Sequence, residues 1–148
     1  MVKCAHFESA AIIRGCEGGI IPSLQQPSKF FEYIHDGELE ARECVPTALG
    51  IQQSDRAVPI PDDIALEKKK GDVIANKFDV NALAKCAAAC GIEALQGKPG
   101  IARDSLLYIG SIVLNHLRYT ETIQDAYTKL SKQLDNGSAW ERFQQAII

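Results

Sequence analysis

Phe30-Phe31-Glu32-Tyr33-Ile34, His35-Asp36-Gly37 and Leu39-Glu40-Ala41-Arg42-Glu43-Cys44-Val45 follow one another closely, two β-capable runs flanking an Asp-Gly turn. Asp-Gly between such runs signals a hairpin, because the turn positions need residues that tolerate positive φ. Pro46 ends the second run, since its ring removes a ladder donor. Upstream, Ala10-Ala11-Ile12-Ile13 is a short apolar run closed by Arg14-Gly15-Cys16-Glu17-Gly18-Gly19. That pattern suits a strand leaving into a glycine turn. Downstream, Gln52 to Lys70 is polar and carries Pro59, Pro61 and Asp62-Asp63. It reads as a long connection with at most one helical turn, Asp62-Asp63 forming a surface turn after Pro61.

The rest of the chain has helical character. Val80 to Leu95 is alanine-rich, and Gly97 follows as a stop;. Pro99-Gly100 opens a second helix through about Leu117. Its apolar residues, Leu106, Leu107, Ile109, Ile112, Val113, Leu114 and Leu117, cover so much of the circumference that a largely buried helix is expected;. A third helix runs from about Glu121 to Leu134, with Ile123, Ala126, Tyr127, Leu130 and Leu134 as its stripe. Asn136-Gly137 is its C-cap. Ser138-Ala139-Trp140-Glu141 reads as a capping box opening a last helix, with Trp140, Phe143 and Ile147 on its apolar face;. The expectation is an α/β chain: a small mixed β-sheet in the N-terminal half, then about four helices. The strand-rich part spans 1–60, the connection 61–78 and the helical part 79–148.

At 148 residues, with 46% hydrophobic and 24% charged residues, the chain has a globular composition and is not disordered as a whole;. Its longest apolar run, around Leu106 to Leu114, falls short of the about 18 residues of a membrane span;. A net charge of −3 offers no general attraction for nucleic acid or anionic membrane;. The start, Met1-Val2-Lys3-Cys4-Ala5-His6, has no apolar signal-peptide core, so a cytoplasmic protein with reduced thiols is expected;. Cys86 and Cys90 lie one helical turn apart among alanines and read as small packing residues;. His6, His35 and His116 share no metal-ligand spacing, and Lys68-Lys69-Lys70 reads as a solvated run.

Three stretches together resemble the C-terminal part of the anthranilate phosphoribosyltransferase family (glycosyltransferase family 3). Ile12-Ile13-Arg14-Gly15-Cys16-Glu17-Gly18 is similar to the family's strand and glycine loop. Asp36-Gly37-Glu38-Leu39, with Val45-Pro46 and Leu49-Gly50-Ile51, is similar to its hairpin ending in Pro-x-x-x-Gly-Leu. The most specific stretch is Asn81-Ala82, Leu95-Gln96-Gly97, Gly100 and Arg103-Asp104-Ser105-Leu106-Leu107. It resembles the family's Asn-Ala…Leu-x-Gly-x-x-Gly-x-x-Arg-Asp-x-x-Leu-Leu. The resemblance implies a fragment of the family's large α/β domain, one partial domain over 1–148, on a scaffold for phosphoribosyl transfer in tryptophan biosynthesis. It also implies that the family's N-terminal helical domain and its Gly-Thr-Gly-Gly-Asp phosphate motif are absent.

Magnesium and phosphoribosyl pyrophosphate are accordingly expected only for an intact family member, with no cofactor, metal site or catalytic residue for this chain. Where the family has its metal-binding acidic pair, this sequence has Ile20 and Ile21, and magnesium wants oxygen ligands. Arg14-Gly15-Cys16-Glu17-Gly18 resembles instead a divergent branch that keeps the fold, lacks clear transfer activity and has nucleic-acid-binding members. The loop residues Arg14, Gly15, Glu17 and Gly18 are the phosphate-binding candidates, through backbone N–H groups; the alternative is a tight turn whose glycines supply positive φ. Arg103-Asp104 reads as a structural pair at a helix start. Three functions follow as expectations: the rear part of a transferase, inactive alone; a divergent nucleic-acid or nucleotide binding module; or an interaction domain completing a site with a separate N-terminal chain. The truncated sheet leads us to expect a homo-oligomer through an exposed edge or face at Ala10 to Ile13.

Overall fold

The computed structural model describes residues 7–16, 21–34, 37–67 and 77–147. Three strands form the main sheet: β1 (Ser9–Ile13), β2 (Ser28–Ile34) and β3 (Glu40–Cys44), in the order β1-β2-β3. Both pairings are antiparallel, with Ile13 opposite Phe30 and Phe31 opposite Ala41. The sheet is therefore antiparallel where a mixed one was expected. The five residues between β2 and β3 are too few for the dozen or more that a parallel crossover needs, so that pair is a hairpin;.

The connection after the sheet is more ordered than the polar composition suggests. Asp62–Ile64 forms a 3-10 turn, as expected after Pro61, and then β4 (Ala65–Glu67) pairs antiparallel with β5 (Lys77–Phe78). Lys68-Lys69-Lys70 lies outside the described residues.

Four helices follow: α1 (Val80–Leu95), α2 (Ile101–His116), α3 (Ile123–Asp135) and α4 (Ser138–Ala146). The Asp79 carboxylate caps α1 by accepting from the N–H groups of Asn81 and Ala82;. Thr122 caps α3, accepting from Asp125 N–H at 3.0 Å. α4 has no capping box: Gly137 occupies the cap position with φ 78°, and the Ser138 hydroxyl donates back to Asn136 Oδ1 at 2.6 Å. The tight turn from α3 leaves Ser138 already inside the helix.

Alternation puts Ser28, Phe30 and Glu32 on the inner face of β2, and α2 packs against them;. Leu24, Phe30, Cys44, Leu49 and Ile51 form a core with Tyr108 and Ile112 of α2. The Tyr108 hydroxyl donates to the Cys44 carbonyl at 2.8 Å. Burial pushes this hydroxyl well above its ordinary pKa, with the Ser28 hydroxyl beside it working the other way. Above the core, His116 Nδ1 meets buried Glu32 Oε1 at 2.9 Å, and Arg42 donates to Glu32 Oε2 at 3.1 Å. α2 is largely covered, as its dense apolar pattern implies: seven of its residues are buried and only Leu106 and Val113 are exposed. Leu117, just past its end, is about half exposed.

Candidate functional site

Three segments converge at one end of the sheet: the loop leaving β1, the turn entering β2, and the loop around Arg56. Backbone bonds fasten them. Cys16 N–H donates to Ile21 O at 3.0 Å, and Leu24 N–H donates to Arg56 O at 2.9 Å. The buried Cys16 thiol donates to the same Arg56 carbonyl at 3.6 Å. The Gln25 side-chain amide adds a bond to Ser54 O. The polar connection is thereby pinned against the glycine loop, which sets where the Arg56 side chain stands.

Between these segments lies a cleft of about 490 Å³, lined by Arg14, Gly15, Cys16, Ser23, Ser28, Lys29 and Arg56 together with Gln26 and Pro27. Arg14, Lys29 and Arg56 are solvent-exposed, whereas Ser23 and Ser28 are buried at its wall. Among the described residues, no carboxylate lines the cleft and none of the three cations is ion-paired. Glu43 stands across from Lys29 in the β2–β3 register without closing an ion pair.

The register explains why two cations are neighbours. The β1–β2 ladder ends with Ile13 opposite Phe30, so the next step brings Arg14 beside Lys29. Like charges directly opposite on a sheet cost stability. An anion placed between them removes that cost.

On the same outer face, the next row pairs Ile12 with Phe31, and both side chains are about half exposed. An exposed aromatic thus adjoins the cationic row. Lys29 and Arg56 carry no local motif, and their meeting with Arg14 was not legible in the sequence. Of the four loop candidates, the structure places Arg14 and Gly15 in the cleft; Glu17 and Gly18 lie outside the described residues, as does Ile20.

The remaining motif residues serve packing. Gly97 turns the chain at φ 81°, and a Cβ there would meet Leu134 O at 2.8 Å. Arg103 donates to Asp135 Oδ1 at 2.6 Å and to Ser131 Oγ at 3.0 Å, joining α2 to α3. Asp104 accepts from the Gln53 amide at 2.6 Å, tying the start of α2 to the connection. Both residues therefore hold elements together.

No family model matches the chain, and no curated protein matches it. Among the described residues, no helix is long and apolar enough to cross a membrane. Nor do they hold a group of three or more His, Cys, Asp or Glu side chains placed to bind a metal. The cleft itself offers guanidinium, ammonium, hydroxyl and thiol groups. That donor set does not suit magnesium, which binds through carboxylates and phosphate oxygens. It suits an anion that keeps its own charge.

Proposed function

We propose that this chain is a phosphate-binding module on a phosphoribosyltransferase-like scaffold, taking a nucleotide or a single strand of nucleic acid and performing no transfer by itself. The observation that carries the reading is the cleft in which Arg14, Lys29 and Arg56 converge with no ion-pair partner among the described residues. Arginine offers two parallel N–H donors to a phosphate, and lysine adds a compact charge. Buried Ser23 and Ser28 supply hydroxyls at the wall.

The exposed Phe31 beside this row favours a phosphate that carries a base. Aromatic side chains on an open sheet are the usual platform for stacking bases next to a bound backbone. The acidic balance of the chain, −3 in all, confines the attraction to the cleft. The ligand is therefore small, or touches the protein over few nucleotides.

Fluorescence anisotropy of a labelled oligothymidylate over a salt series tests this. Three cations engaging about three phosphates give a log–log salt slope of roughly −2 for a single strand. Absence of binding at low salt, with the protein folded by circular dichroism, would contradict the proposal.

A further inference from the structure

The two edges of the main sheet differ in kind. β3 carries Glu40, Arg42 and Glu43, the charges that keep an edge from pairing with another chain;. β1 reads Ser-Ala-Ala-Ile-Ile and has neither a charge nor a proline. In the order β1-β2-β3 its outer side pairs with no described strand. An uncharged edge of this sort is a template for a further strand.

Its flanks say which strand. If β1 pairs antiparallel with β1 of a second copy about a two-fold axis at Ala11, Ser9 faces Ile13 and Ala10 faces Ile12. The same register sets Glu8 of each copy opposite Arg14 of the other, so the seam closes with two ion pairs at its ends. Glu8 and Arg14 are both exposed, and neither is ion-paired among the described residues, hence both are open to this pairing; the five N–H donors of Arg14 leave some for an anion in the cleft. Shifting the register by one residue would lose both pairs and turn Ile12 to the opposite face. The outer apolar row also becomes continuous, because exposed Ile12 beside Phe31 gains Ala10 of the second copy as a neighbour.

We propose that two copies of this chain associate through β1, forming one six-stranded antiparallel sheet whose register is set by Glu8 against Arg14. The interface is isologous, since each copy gives the same residues. The seam is five residues long. That is small against the about 1,200 Å² of a stable interface, so association is weak and concentration-dependent.

Sedimentation velocity across a dilution series reads the equilibrium, with a charge swap as the decisive test. Glu8→Arg places arginine opposite arginine at both ends and lowers the association constant by about tenfold or more. The double variant Glu8→Arg/Arg14→Glu restores the pairs in reverse and recovers association to within about threefold. Both positions are exposed, and circular dichroism confirms an unchanged fold. A species that stays monomeric at the highest concentration would overturn the proposal. So would a Glu8→Arg variant that associates as well as the parent, or a double variant that fails to recover. The phosphate reading is judged separately: the double variant regains the dimer while losing Arg14 from the cleft.

Discussion

Six basic residues of this protein form two contrasting sets. Arg42 and Arg118 approach the buried Glu32, at 3.1 and 3.9 Å, and Arg103 meets Asp135 at 2.6 Å. These residues tie β2, β3, α2 and α3 to one another. Arg14, Lys29 and Arg56 meet no carboxylate among the described residues, yet they share one cleft. A charge with a partner on a neighbouring element reports on assembly. Cations gathered without partners report on a ligand, because their mutual repulsion has no structural return. The two sets should accordingly separate in experiment: variants of the first change stability, and variants of the second change binding.

The largest effect should come from the paired set. Glu32→Ala strips His116 and Arg42 of their shared carboxylate in a site where Glu32 is 3% exposed. A loss of about 3 kcal/mol in urea unfolding is expected, with oligonucleotide affinity unchanged in the folded fraction. A large loss of affinity without a loss of stability would erase the distinction between the two sets.

Next in size is Phe31→Ala on the exposed face. Stacking on an aromatic contributes about 1–3 kcal/mol per base, so anisotropy should show affinity falling about tenfold while the urea midpoint stays close to that of the parent. An unchanged affinity would restrict the ligand to its phosphate.

The smallest effect belongs to Tyr108, beneath the cleft wall at Ser28. Tyr108→Phe removes the bond to Cys44 O, at a cost of about 1 kcal/mol;. It also changes the alkaline limb. Because the folded hydroxyl holds its proton beyond the usual tyrosine value of about 10, the unfolded chain loses that proton first;. The hydroxyl's contribution is whole below pH about 10 and is lost as pH rises through the elevated folded value. In urea titrations at rising pH, Tyr108→Phe should show a shallower decline than the parent above pH about 10. Parallel declines would assign the alkaline limb to other groups.

The architecture was largely legible in the sequence; of the three cations that line the cleft, Arg14 alone was singled out there. Two β-capable runs about an Asp-Gly turn and runs of helix formers located the hairpin and all four helices, with α1 falling on Val80–Leu95 as read. The errors have local causes. A polar connection hid β4, because a three-residue strand leaves almost no pattern. An apparent capping box at Ser138 yielded to the tight turn at Gly137. Within the cleft, Arg14 was marked by its glycine loop. Lys29 joins it through strand register, and Arg56 through hydrogen bonds across a long connection. Likewise Glu32 and His116 are brought together only by the packing of α2 on the sheet, which no spacing encodes.

Binding should require Arg14, Lys29 and Arg56 together, acting on one phosphate-bearing ligand. Calorimetric titration of a short oligothymidylate into the parent and into the Arg14→Ala/Lys29→Ala/Arg56→Ala variant tests it most directly. The expected result is binding to the parent without any need for magnesium and a loss of about a hundredfold, about 2.7 kcal/mol, in the variant, with the variant at least as stable as the parent. Equal affinity in the two proteins, or binding to the parent only when magnesium is added, would contradict it.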